Sequence, residues 1–242
     1  MLGIELRQRG RFSPSRLFRA GEAGAWYDPS DLASMAQDSA GTMAASVGQP
    51  VGMLRDKSGR GNHAVQASAN ARPVLRQDGG GRLYLEFDGV DDFLRAAFTC
   101  PQPWDRVAAI RQLSWTNIDR VFGAAGAGHY GALVQEGASP ELRLYDGAAG
   151  GAAANAGLAV GVTNVVTERH HDAGSRLAIG RGAYTAGTSG ALLPGGVTIA
   201  GSAPGYHGHI RLYGLVMIAR ALSDAETARL RRYMAARAGV VL

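Results

Sequence analysis

Eight consecutive residues, Asp56-Lys57-Ser58-Gly59-Arg60-Gly61-Asn62-His63, gather an acid, a lysine, a hydroxyl, an amide and an imidazole. A ligand loop, a phosphate cradle and a tight turn would each use such a set. Phosphate chemistry lacks an anchor: Lys57 is the sole lysine, and the glycine-rich run at 123–128 has neither a following lysine nor the P-loop spacing. Asp56, Ser58, Gly59, Gly61 and Asn62 instead supply positive φ and side-chain-to-backbone hydrogen bonds. The stretch reads as a turn ahead of a strand at 63–67.

Other reactive types are scattered. Glycoside hydrolysis needs two carboxyl groups flanking one bond. Glu86 has only Asp88, already in a turn, at i+2, while Glu136 and Glu141 flank a loop, which argues against a glycosidase. Asp88, Asp91 and Asp92 are dense enough to be calcium candidates, with Asp56 or Asn62 as further oxygen ligands. The same acids suit capping of an Asp-Gly turn, the preferred reading, so no cofactor is expected. Histidines form two pairs, His170-His171 and His207/His209. The second has the i, i+2 spacing of one strand face, but no third ligand adjoins it, and solvent-facing histidines at the start of a strand are expected. No G-x-S-x-G elbow occurs, and Cys100 stands before Pro101 with nothing to activate it, so no catalytic residue is assigned. Trp26, Trp104, Trp115, Tyr130, Tyr145, Tyr184 and Tyr206 form the aromatic pool. Trp26 and Trp115 sit in apolar surroundings and read as core. Tyr130, Tyr184 and Tyr206 lie in glycine-rich loops and are the glycan-contact candidates.

The elements that must position these residues read as strands. The chain has 242 residues and 35 glycines, about twice the usual share, as many tight turns would demand. Alternating apolar residues mark strands at 83–87, 107–113, 120–123, 131–135, 142–145, 162–168, 176–180, 196–200 and 209–218. Asp88-Gly89 signals a hairpin-type turn. Asp28 before Pro29, with Asp31 behind it, suggests a short helix ending by Gly41. The other helix follows Ser223, where Glu226 completes a capping box and Gly239 ends the apolar stripe. Regular strand spacing favours a sandwich over βαβ units.

Of the chain's net charge of +5, residues 1–19 hold +4: Arg7, Arg9, Arg11, Arg16 and Arg19 against Glu5. Leu2, Ile4, Leu6, Phe12, Leu17 and Phe18 are interleaved with them, a mixture that favours a protein-docking arm over a nucleic-acid tail. One cysteine excludes an internal disulfide framework. No apolar run is long enough to span a membrane, and the N-terminus has no secretory-signal pattern.

Three signatures, "WYDPSDL", "DKSGRGN" and "FDGVDDFL", followed by a closing "RALSDAE" helix, carry a family likeness. Over residues 24–242 the chain resembles the concanavalin A-like, laminin-G-like jelly-roll modules of bacteriophage and prophage structural proteins. The resemblance implies an all-β, two-sheet antiparallel jelly-roll sandwich with a short C-terminal helix, preceded by an N-terminal arm at 1–23. It implies a virion protein, assembled in the bacterial cytoplasm and exposed on the particle. Its expected partners are other virion proteins, through the arm, and bacterial surface polysaccharide; several copies or a homo-oligomer are expected, and no membrane. Non-enzymatic glycan contact is the leading expectation. A purely architectural decoration, spike or tail protein is the alternative, and a polysaccharide-degrading enzyme the third.

Overall fold

A strand whose apolar residues alternate must bury one face, and the longer strands here bury theirs against each other; seventeen strands lie among the described residues. The computed structural model describes residues 12–137, 140–147, 154–155, 158–202 and 205–242. In chain order the strands are β1 (Gly24–Tyr27), β2 (Met35–Ala36), β3 (Met53–Leu54), β4 (Ala64–Val65), β5 (Val74–Gln77), β6 (Leu83–Asp88), β7 (Leu94–Ala97), β8 (Trp104–Gln112) and β9 (Arg120–Gly123). Then come β10 (Ala132–Glu136), β11 (Glu141–Tyr145), β12 (Ala154–Asn155), β13 (Thr163–His170), β14 (Ser175–Ile179), β15 (Thr185–Gly187), β16 (Gly196–Ile199) and β17 (His209–Ile218), and finally helix α1 (Asp224–Ala238). One sheet runs β15-β14-β13-β8-β17-β6-β5, with β1 also paired to β17; the other runs β12-β11-β10-β9-β16-β7-β4-β3-β2. Among the described residues every strand pairing is antiparallel in both sheets, and the expected sandwich is the observed architecture.

Alternation along β8 shows how the layers are built. Trp104, Ala108 and Ile110 enter the core between the sheets, with Phe87, Phe122, Leu133 and Leu144. Val107 and Ala109 point the other way and are covered by Leu230 and Met234 of α1. The helix therefore backs one sheet only. Its start is the expected capping box, with Ser223 and Glu226 each bonding the other's backbone N–H. No helix among the described residues is long and apolar enough to cross a membrane.

Two expectations need correction. The Asp88-Gly89 turn is not a hairpin: β6 belongs to the helix-backed sheet and β7 to the other, so the chain turns a corner between layers. The segment 28–41 is not a helix. Asp28 and Asp31 cap single turns, accepting from Ser30 N and Ala33 N, and the one helical piece is the 3-10 turn Leu32–Ser34. These short acids satisfy the local N–H groups without a helix. Residues 12–23 pack on the domain. Pro14 and Leu17 are buried, Phe12 meets Tyr233 edge-on at 6.1 Å, and Arg220 bonds Leu17 O at 2.9 Å and Glu22 at 2.8 Å. Phe12, Leu17 and Phe18 join the apolar cluster that α1 forms with Leu230 and Met234.

Asp56 explains the opening motif. Its carboxylate accepts from Trp26 N (2.9 Å), Ser58 N (2.8 Å), Ser58 Oγ (2.8 Å) and Asn62 N (3.1 Å). Asn62 Nδ2 donates to Gly24 O at 2.7 Å, and Tyr27 Oη to Asn62 O at 2.6 Å. Gly59 and Gly61 take φ of 84° and 75°, which only glycine adopts without strain. The motif is a turn that pins β1.

Candidate functional site

The outer face of the helix-backed sheet is covered, whereas that of the other sheet carries an open groove. On β11, Leu142 and Leu144 point into the core, so Arg143 and Tyr145 face out. Tyr145 stands opposite Ala132 of β10, whose small side chain leaves room above it. On β9, Arg120 stands opposite Val134. Tyr130 arrives from the loop before β10 and meets Tyr145 edge-on, ring centroids 5.5 Å apart. Tyr206 comes from the loop before β17. That loop lies close over β9 because residue 123 is glycine: a Cβ there would meet Gly201 O at 2.3 Å.

These groups converge on one cation. The Arg120 guanidinium lies 5.3 Å from the Tyr206 ring centroid and 5.9 Å from that of Tyr145. Its Nη1 donates to Ile118 O at 3.1 Å. Ile118 holds φ of 71°, a left-handed conformation that costs a β-branched residue energy. Burial pushes the Arg120 pKa below its usual value. A cavity of about 220 Å³ is lined by Arg120, His129, Tyr130, Tyr145, Ser202 and Tyr206, among others. A second, also about 220 Å³, continues past Arg120 and Tyr145 to Ile118, Glu136 and Arg143. Glu136 and Arg143 neutralise each other at 2.6 Å. Together the cavities reach the size of small-ligand sites, roughly 300–1,000 Å³, with aromatic walls and a few polar groups.

Of the sequence candidates, Tyr130 and Tyr206 come together here. Tyr184 does not: it precedes β15 in the other sheet, with the Arg176 guanidinium 4.2 Å from its ring. Tyr145 and Arg120 were not among the candidates. Tyr145 carries the outward phase of an alternating strand; Arg120 has the parity of the core residue Phe122 and is turned outward by the register shift of β9 against β10, as a β-bulge re-aims a side chain. Arg16 and Arg19 are exposed; Arg7, Arg9 and Arg11 lie outside the described residues. Glu136 and Glu141 flank the β10–β11 loop, as expected, and are direct cross-strand partners. Asp88, Asp91 and Asp92 bring carboxylate oxygens within 4.8 Å of one another. Asp88 Oδ1 accepts from Val90 N (2.8 Å), Asp91 N (3.3 Å) and Asp92 N (3.4 Å), while Asp92 Oδ2 accepts from Asp88 N (3.1 Å). This is turn capping. Burial, then the neighbouring Asp88, raises the Asp92 pKa to about 6.

A second polar cluster lies between the sheets. Arg106 of β8 makes a two-pronged pair with Glu168 of β13, at 2.9 and 2.6 Å. His170 Nε2 lies 3.2 Å from Glu168, and its Nδ1 2.8 Å from Asp146, which accepts from Ser189 Oγ at 2.5 Å. Trp104 stacks on the imidazole with centroids 3.7 Å apart. Arg106, Asp146, Glu168 and His170 are all 0% exposed. No solute reaches them, so the cluster is architectural.

No protein-family model and no curated protein matches the chain. Solved structures share its fold. Domain 4 of AbnA, a GH43 extracellular arabinanase from Geobacillus stearothermophilus, in complex with arabinotriose, aligns with a TM-score of 0.60 and 12% identity over 87% of this chain and 98% of that one. A Trypanosoma rangeli sialidase gives 0.56 and 15% over 90% of this chain. An arabinofuranosidase complexed with arabinofuranosyl-alpha-1,2-xylobiose gives 0.57 and 14% over 78% of this chain and 51% of that one. The chain spans about a third of the sialidase, 33%. These neighbours overturn the expectation that the chain is not an enzyme: the fold recurs in sialidase, arabinanase and arabinofuranosidase chains, and the sandwich gives no ground for excluding hydrolysis. The jelly-roll part of the sequence resemblance agrees with the architecture; its phage association has no counterpart in these three structures.

Proposed function

We propose that the chain recognises glycans, and that the groove of Arg120, Tyr130, Tyr145 and Tyr206 is where it does so. One observation carries this reading: two tyrosine rings from separate segments flank a half-buried guanidinium on the outer face of a sheet, and a third tyrosine packs edge-on against one of them. Sugar rings offer apolar C–H faces to tyrosine and hydroxyl groups to arginine, histidine and serine, the mixture these cavities present. The recurrence of the fold in carbohydrate-active proteins supports the same reading. On the sequence resemblance, the module works on a phage-like particle, joined to other virion proteins through its N-terminal residues and facing bacterial surface polysaccharide. Immunogold labelling of purified particles tests the location; labelling confined to host debris would contradict it. Binding is tested on a glycan microarray with Tyr145→Ala and Tyr206→Ala beside the wild type. Selective binding that both variants lose is expected. Unchanged binding in both would move the site elsewhere.

A further inference from the structure

We infer that the glycan bound in this groove is an acidic one, whose anionic group pairs with Arg120; the inference rests on the glycan-binding reading and names the ligand class. A half-buried guanidinium loses much of its hydration, and proteins compensate this with a carboxylate or a full set of acceptors. Arg120 has neither among the described residues. Among the described residues its one hydrogen bond is to Ile118 O; the faces of Tyr145 and Tyr206 flank it, and Asp119 and Glu136 act on it through their charge without bonding to it.

The nearby acids are otherwise engaged. Glu136 faces Arg143 at 2.6 Å. Asp119, the sequence neighbour, is bonded to the Thr116 side chain and raised by its own burial. Of the residues outside the described ones, 138–139, 148–153, 156–157 and 203–204 contain no Asp or Glu, and 1–11 contain one, Glu5. The cavity shared by Arg120, His129, Ser202 and the tyrosines therefore carries net positive charge. A guanidinium presents its N–H donors in a fork that fits a carboxylate or sulfate two-pronged, while the flanking rings take the sugar faces.

The chain already contains the satisfied form of this arrangement. Arg106 also lies against two aromatic rings, Trp104 at 5.2 Å and Phe122 at 4.5 Å, and there Glu168 completes it. In the groove the ligand supplies the missing carboxylate.

The test is a glycan microarray, followed by calorimetric titration, carrying hexuronate, sialylated and sulfated oligosaccharides beside the neutral counterpart of each. Wild type, Arg120→Gln, Arg120→Lys and Tyr145→Ala are compared, with thermal melts to confirm folding. The expected result is a preference for acidic over neutral glycans of roughly ten- to hundredfold, the range of a charge-assisted hydrogen bond. Arg120→Gln should erase that preference and Arg120→Lys keep part of it. The uronate, sialate and sulfate arms identify the source of the anion. Equal binding of acidic and neutral glycans, lost in Tyr145→Ala, would overturn the acidic assignment while leaving glycan recognition intact. A preference that survives in folded Arg120→Gln would also overturn it. Failure of wild type to bind any glycan would overturn both readings.

Discussion

Arg106 and Arg120 are each sandwiched by aromatic side chains, yet one is sealed and the other waits for a partner. Arg106 is on the inward phase of β8, fully buried, and its guanidinium is matched by Glu168 directly across on β13. Arg120 stands two residues before the core residue Phe122, and a register shift of β9 against β10 turns it to the outer face, across from Val134. Pleat and bulge decide which face a residue meets, and the cross-strand partner decides whether its charge is satisfied. An arginine given a carboxylate within the chain builds the fold. An arginine given only rings and an open cavity builds a binding site.

The largest effect should come from breaking the closed cluster. Glu168→Ala strands Arg106 without its anion, and removing one partner of a buried pair typically costs about 3–5 kcal/mol; urea unfolding measures it. A cost under about 1 kcal/mol would show that water reaches the cluster. The pH profile sharpens the point. Burial acts to lower the His170 pKa, but the Asp146 and Glu168 carboxylates outweigh it and raise the value above 6.5. A raised histidine contributes stability below its unfolded value and loses that contribution as pH rises through the folded one. Glu168 is also opposed by burial, but Arg106 and His170 hold it below 4.5, so its contribution is lost as pH falls through that lowered value. Stability should therefore decline on the alkaline side, and His170→Gln should flatten that decline.

Asp56 comes next. A nearly buried carboxylate with four donors is worth more than an ordinary turn residue. Asp56→Ala should cost about 2–3 kcal/mol, without altering glycan affinity once the protein is folded. Tyr206→Ala reverses this pattern: stability should change by about 1 kcal/mol or less, while affinity falls about tenfold or more. Calorimetry on the folded variants separates the two. The smallest effect belongs to the corner turn, where Asp91→Asn should stay within about 0.5 kcal/mol. Asp92 is raised to about 6, so its contribution is lost as pH rises through that value, and Asp92→Asn should be no less stable than wild type at pH 7. Millimolar calcium should not shift the melting temperature; a rise of several degrees that Asp91→Asn removes would make the three acids a metal site.

Much of this arrangement was legible in the sequence. Strands β9 and β17 and the capped C-terminal helix follow from apolar patterning and end signals, and the "DKSGRGN" turn from turn chemistry. The two-residue strands β2, β3 and β4 are too short to show a period. The corner at Asp88-Gly89 looked like a hairpin because turn residues set the reversal of a chain, whereas tertiary packing sets which sheet receives it. Tyr130 and Tyr206 stood out through their glycine-rich loops, and Tyr184 shared that signal without sharing the place. Tyr145 was hidden because a strand residue declares its outward phase only when its neighbours' burial is known, and Arg120 because the bulge that turns it outward breaks the alternation. Nothing local links His170 to Asp146, which is 24 residues earlier.

The most direct test of the central claim is a crystal structure with a bound oligosaccharide selected from the microarray. Density for a sugar between Tyr145 and Tyr206, with an acidic group within hydrogen-bonding distance of Arg120, is the predicted result. Sugar bound instead along α1 or at the Asp88 corner, with the tyrosine groove empty, would contradict it.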